Sequence, residues 1–83
     1  MANEGVIGRA YRTYVPDENK VTVDVLDPSG ARIDGYLRAG PPAEAMAVVA
    51  DHVRFLAQQG YLGRLGLDRV VLRCHGTADV SVP

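Results

Sequence analysis

The strongest constraint on the fold is a four-residue turn, Asp27-Pro28-Ser29-Gly30, which stands between two segments of alternating hydropathy. Asp at the first position, Pro with its fixed φ at the second and Gly at the fourth are favoured in a type I turn. Before the turn, residues 21, 23 and 25 are valines that alternate with other residues, and residues 32–39 alternate again after it. A period of two is typical of a half-buried strand. The sequence therefore predicts a β-hairpin around this turn.

The second strand of this hairpin divides its side chains between two faces. We assign its small and apolar side chains to the buried face and its polar ones to the open face of the sheet. The predicted buried set is Ile33, Gly35, Leu37 and Ala39. The predicted open set is Arg32, Asp34, Tyr36 and Arg38.

A long helix is predicted next, from about residue 41 to residue 59, because Gly40-Pro41-Pro42 ends the strand and proline is tolerated in a first helical turn. Residues 60–66 are too rich in glycine to predict a second helix. Residues 67–75 alternate and are predicted to be a strand, while residues 79–83 form either a short edge strand or a frayed end. The predicted apolar stripe of the helix, which faces the sheet, is Ala45, Met46, Val49, Val53, Leu56 and Ala57.

Residues 6–15 are predicted to form the first strand, with an open register because both of its faces mix apolar and polar residues. The predicted fold is thus an α+β domain over residues 1–83, in the order β-β-β-α-β. It is an antiparallel meander with one crossover helix packed on one sheet face. If the last strand returns parallel beside the first, the crossover should be right-handed. Folding of a domain of this size buries only somewhat more than about 60% of the surface of the unfolded chain, and this marginal stability favours association with a second copy.

This order of elements is similar to the first half of ribonuclease-H-like domains and to the small partial version of that fold in HicB-type antitoxins. A nuclease of that kind needs acidic residues on the first strand, at the helix start and at the end of the fourth strand to hold two metal ions. Only Glu44 stands in such a place, since the first strand has no acid and the fourth ends in Cys74-His75. The resemblance therefore implies a non-catalytic binder, such as an antitoxin-like regulator.

No catalytic, metal or cofactor site is predicted. Cys74 and His75 are adjacent on a strand, so their side chains should point to opposite faces. Zinc needs about four ligands, and one cysteine and two histidines without a recognisable spacing do not supply them. Ser29 and Ser81 have no evident base beside them. We therefore expect Cys74 to be buried and unreactive.

Positive charge is predicted to gather on the open face of the sheet. Arginine and tyrosine on such a face can neutralise phosphates and stack on unpaired bases. Two other interpretations stay open: Asp24 and Asp34 pair with neighbouring arginines across strands, or the face contacts a protein. The predicted interaction face is Arg32, Tyr36, Arg38, Arg69 and Arg73.

A second surface is predicted on the helix, because its apolar arc spans about 200°, wider than one sheet face needs. The extra width comes from Val48, His52 and Phe55. Phe55 either caps the core, which we favour, or contacts a partner helix. The width of the arc keeps a dimer contact through these three residues open as the alternative.

The net charge, the cysteine count and the N-terminal segment further limit the functions that the sequence allows. Nine basic against ten acidic residues leave a net charge of −1, so no overall field attracts nucleic acid. A single cysteine and a first segment without signal-peptide features predict a cytoplasmic protein. Charged residues interrupt the most apolar window, residues 43–57, so no membrane span is expected. Arginine is strongly preferred over lysine, which is typical of a GC-rich bacterial or phage gene.

These observations favour a small non-catalytic, cytosolic accessory protein encoded by a bacterium or a phage. It would act by protein–protein contact, as a homodimer or with another protein. The alternative is a nucleic-acid-binding regulator that uses the Arg/Tyr face. An enzyme is the third hypothesis.

Overall fold

The computed structural model describes residues 19–83, which form a four-stranded antiparallel sheet and two helices. The predicted α+β class is confirmed, while the predicted strand at residues 6–15 lies outside the described residues. The strands are β1 Lys20–Leu26, β2 Arg32–Ala39, β3 Val70–Arg73 and β4 Val80–Val82. The helices are α1 Pro42–Gln58 and α2 Tyr61–Leu65.

The β1–β2 hairpin closes at the predicted turn. The Gly30 N–H donates to the Asp27 carbonyl at 2.9 Å, and Gly30 takes a φ of 95°, which glycine tolerates best. The Asp27 carboxylate accepts from the N–H groups of Ser29 and Ala31 at 2.9 and 3.0 Å. A hydrogen bond from the Ser29 hydroxyl and these backbone bonds lower the pKa of Asp27. The side chain of one residue therefore holds the turn that the sequence predicts.

The register of this hairpin overturns the predicted division of β2 into faces. Val23 lies opposite Tyr36, Val21 opposite Arg38 and Val25 opposite Asp34. Residues directly opposite each other share a face, so the polar side chains of β2 lie on the side of the buried valines. Alternation with a period of two shows that the strand has two faces, but it does not show which face is buried. The pairing of β2 with β1 determines which face that is.

A bulge at the turn end of the hairpin separates Arg32 from the other polar residues of β2. The register shifts between Val25 and Leu26, so that Leu26 lies opposite Arg32. Arg32 thereby joins the open side of the sheet with Gly35 and Leu37.

The sheet has the order β2-β1-β3-β4. β3 pairs antiparallel with β1, with Arg73 opposite Asp24, so β2 and β3 flank β1 and run parallel to each other. The connection through α1 and α2 therefore crosses over β1. The conditional prediction of a parallel return beside residues 6–15 lies outside the described residues. Within residues 19–83, β3 pairs antiparallel with β1 and with β4. The edge-strand alternative for the last residues is confirmed, since Val82 pairs with Val70.

The short helix α2 contradicts the prediction that residues 60–66 form no helix. Gly60 and Gly66 stand at its two ends with φ values of 91° and 72°, and only Gly63 lies inside it. The glycines therefore terminate the helix more than they weaken it. Leu62, which is 7% exposed, ties this helix to the core.

The core lies between the helices and one side of the sheet. Within the predicted stripe of α1, Leu56 and Ala57 are half-buried and the other four residues are buried. Full burial of a valine or leucine stabilises by roughly 1.5–3 kcal/mol. The largest fully buried side chains are Leu72, Val23, Val25, Val49, Val53, Val70 and Val82.

Within residues 19–83, neither helix is both long enough and apolar enough to cross a membrane.

Candidate contact surface

An aromatic contact joins β2 to α1 along one flank of the molecule. The rings of Tyr36 and His52 meet edge to face, with centroids 5.5 Å apart and an interplanar angle of 85°. The guanidinium carbon of Arg38 lies 5.3 Å from the centroid of the Tyr36 ring, within cation–π range. These contacts form because the register turns Tyr36 and Arg38 towards the helix side of the sheet.

Two large apolar side chains extend this contact along α1. Val48 precedes His52 by four residues and Phe55 follows it by three, so all three share one side of the helix. Val48 is 54% exposed and Phe55 is 57% exposed, and His52 is exposed as well. Phe55 therefore does not cap the core, and the favoured prediction for this residue is wrong. We call Tyr36, Arg38, Val48, His52 and Phe55 the β2–α1 surface.

The phenols near this surface stay protonated at neutral pH. Burial raises the pKa of Tyr36 and the pKa of Tyr61, and the negative charge of Asp34 raises both further. Both tyrosines thus offer aromatic area and a neutral hydroxyl, which suits contact with a macromolecule better than base catalysis.

The predicted Arg/Tyr face does not come together on one side of the sheet. Tyr36 and Arg38 lie on the helix side of β2, whereas Arg32 and Arg73 lie on the open side. Arg69 is exposed just before β3. Two members of that predicted face thus join the three predicted dimer residues in the β2–α1 surface. Whether any of these residues contacts a partner stays a prediction.

The open side carries alternating charges from β2 to the residue before β4. Arg32 Nε lies 2.8 Å from Asp24 Oδ1, and Arg73 Nη2 lies 2.9 Å from Asp79 Oδ2. Arg73 is also the ladder partner of Asp24, so the charges alternate in the order Arg32, Asp24, Arg73, Asp79. The hydrogen bond from Arg73 lowers the pKa of Asp79. Within residues 19–83, the two cations and two anions of this row therefore offset each other.

The outer edge of β2 is occupied by its own side chains. The Gly35 N–H donates to Asp34 Oδ1 at 2.8 Å, and Arg38 Nη1 donates to the Leu37 carbonyl at 2.9 Å. The predicted cross-strand pairing therefore holds for Asp24 but not for Asp34, which binds backbone instead. Sequence reasoning missed this role because nothing in the sequence shows that β2 lies at an edge of the sheet formed by residues 19–83.

The residues that suggested catalysis stay apart. Cys74 is 3% exposed and its Sγ lies 3.7 Å from the His75 carbonyl, whereas His75 is exposed. Within residues 19–83, no three acidic, cysteine or histidine side chains are placed to hold a metal ion.

In two open grooves of about 360 and 290 Å³, the lining residues from the described part of the chain include no acid, cysteine or histidine. The larger is lined by Arg54, Ala57, Gln58, Leu62 and Pro83, and the smaller by Asn19, Val21, Gly40, Pro41 and Pro42.

Comparisons of the chain with protein-family models, with curated proteins and with solved structures find no match.

Proposed function

We propose that this chain is a small non-catalytic, cytosolic accessory protein of bacterial or phage origin. It acts by protein–protein contact and forms a homodimer through the β2–α1 surface. The observation that carries the proposal is the pair of half-exposed apolar side chains, Val48 and Phe55, beside the Tyr36–His52 contact. Removing apolar surface from water is favourable by about 25 cal/mol per Å². Aromatic residues and arginine with apolar neighbours are also the residue types that interface centres favour.

A stable dimer interface would have to be larger than the exposed side of α1 alone. Specific interfaces bury about 800 Å² on each partner, more than two side chains supply. The additional area would come from the neighbouring residues of β2. A homodimer meets this need symmetrically, because both copies present the same surface.

The test is the oligomeric state of the full chain by sedimentation and light scattering across the micromolar range. We expect the parent to be dimeric, and Phe55→Ser and Val48→Ser to raise the dimer dissociation constant by roughly tenfold or more. Ala47→Ser is the matched control, because residue 47 is exposed on a different side of the same helix. A parent protein that stays monomeric at high micromolar concentration would refute the proposal.

Nucleic-acid binding through an Arg/Tyr face is the alternative, and no contact within residues 19–83 favours it. The carboxylates that bind Arg32 and Arg73 already offset two of the charges on which it depends. Nucleic-acid binding would be favoured over the dimer if the chain bound DNA or RNA with an affinity that falls steeply as the salt concentration rises. The salt dependence of that affinity should then be weaker in Arg38→Ala and in Arg73→Ala.

A further inference from the structure

The two edges of the sheet differ in their capacity to accept another strand. β4 has three residues and is followed by Pro83, which has no N–H to offer. β2 has eight residues and no proline, and among residues 19–83 it has a ladder partner on one side only, namely β1. An unpaired strand of this length is a template for pairing with another chain.

The hydrogen bonds of the hairpin show which groups of β2 point outwards. The Gly40 N–H donates to the Asn19 carbonyl, which makes these two residues a hydrogen-bonded pair of the antiparallel ladder. Such pairs alternate along a ladder, so the backbone groups of Gly35, Leu37 and Ala39 point away from β1. The side-chain bonds to the Gly35 N–H and the Leu37 carbonyl agree with this assignment.

The outer edge of β2 is complementary to itself in one antiparallel register. When Tyr36 faces the same residue of a second copy, Gly35 lies opposite Leu37 and both turn their backbone groups to the partner. In the same register Asp34 lies opposite Arg38 twice, once on each side of the two-fold axis. A shift by two residues loses both ion pairs, because it sets either Arg32 or Tyr36 opposite Arg38.

The side chains that would pair are the ones that cap the edge in a single chain. Among residues 19–83, neither Asp34 nor Arg38 is in an ion pair, and each binds one backbone group instead. A second copy would supply the Leu37 carbonyl to the Gly35 N–H directly. The two released side chains would then bind each other across the interface.

We propose that two copies of this chain pair antiparallel through their β2 strands, with Tyr36 on the two-fold axis and with Asp34 of each copy bound to Arg38 of the other. This inference rests on the proposed homodimer and specifies where it forms. Strand pairing would make one continuous sheet and bring the two α1 helices onto the same side of it. The β2–α1 surface would then line the space between them.

Charge exchange tests the register. Asp34→Arg and Arg38→Asp each place like charges opposite each other, so each should weaken the dimer by roughly tenfold or more. An equimolar mixture of the two variants should form a heterodimer, because every opposing pair is then of opposite sign. The double variant Asp34→Arg/Arg38→Asp should dimerise like the parent. Sedimentation of these four samples and of the parent measures all of this, with circular dichroism as the control for folding.

Cross-linking tests the axis independently of charge. Facing residues of a non-hydrogen-bonded antiparallel pair have Cα atoms about 4.5 Å apart, within the range of a disulfide. Tyr36→Cys should therefore form a covalent dimer under mild oxidation. Leu37→Cys is the matched control, because residue 37 of one copy lies opposite residue 35 of the other and should cross-link far less.

The outcomes separate this inference from the proposed function. A dimer that Phe55→Ser dissociates, but that neither charge reversal weakens and Tyr36→Cys does not link, would overturn strand pairing and leave the homodimer standing. A monomeric parent would overturn both, and Asp34 and Arg38 would then be capping groups that keep the edge unpaired. Rescue in the mixed sample together with the covalent dimer would establish the register.

Discussion

The two sides of the sheet are built from alternate residues of the same strands, yet they are held by different forces. On the helix side, side chains such as Val23, Val49 and Leu72 are fully buried against one another. On the open side, the side chains of the Arg32–Asp24 pair are 59% and 36% exposed. Buried apolar contact stabilises far more than exposed ion pairs, which contribute about 0–1 kcal/mol. The comparison indicates that the helix side carries the stability. Leu26 is an exception on the open side. It shares that side with Val71, its ladder partner, but it is only 5% exposed.

The largest expected contrast is between neighbouring residues of β3 that face opposite sides. Leu72→Ala should lower the free energy of unfolding by about 2–5 kcal/mol, because Leu72 is fully buried and its truncation leaves a cavity. Val71→Ala should cost about 1 kcal/mol, since Val71 is half-buried on the open side. Urea denaturation of both variants measures the difference. Equal losses would contradict the division of forces between the two sides.

A smaller effect is expected at Gly35, where the open side is closely covered. A Cβ built there would lie 2.1 Å from Nη2 of Arg32, so that guanidinium group would have to move away from Asp24. Gly35→Ala should therefore cost up to about 1 kcal/mol in the parent protein. In an Arg32→Ala background the same change should be neutral or stabilising, because alanine loses less backbone entropy than glycine. A double-mutant cycle measured by urea denaturation tests this explanation. If Gly35→Ala lowers the free energy of unfolding equally in both backgrounds, contact with the Arg32 side chain is not the cause of the loss.

The Arg32–Asp24 pair itself should contribute little. Asp24→Asn should lower the free energy of unfolding by about 0.2–1 kcal/mol at low ionic strength, and the loss should vanish in about 1 M salt, where the screening length is about 3 Å. Thermal unfolding at two salt concentrations measures both values. A loss that persists at high salt would mean that the pair is less exposed to solvent than its side-chain areas indicate.

The smallest expected effect concerns acid. Because Arg73 holds the folded-state pKa of Asp79 below its ordinary value of 3.8, the pair contributes stability above that value and loses it as the pH falls through the lowered folded pKa. Asp79→Asn should therefore flatten the fall in stability below about pH 4. Part of the fall should remain in this variant, since the pKa of Asp27 is also lowered. An unchanged acid profile would show that Arg73 and Asp79 do not interact in solution.

The sequence predicted the elements better than it predicted their faces. The hairpin followed from the Asp27-Pro28-Ser29-Gly30 turn, and α1 followed from its proline start and its apolar stripe, because both depend on neighbours in the chain. The helix side of the candidate site was also predictable, since Val48, His52 and Phe55 repeat with helical spacing. The sheet side was not, because Tyr36 and Arg38 were assigned to the wrong face.

By itself, then, the sequence determined where this chain turns, where its main strands and long helix lie and that its acids and bases nearly cancel. The tertiary structure decided which side of β2 is buried, that β2 lies at an edge of the sheet formed by residues 19–83, and that Arg32 and Arg73 bind carboxylates. The physical reason is that alternation with period two is unchanged when the two faces are exchanged. Only pairing with β1 and burial under α1 distinguish the faces, and both depend on residues far apart in the chain.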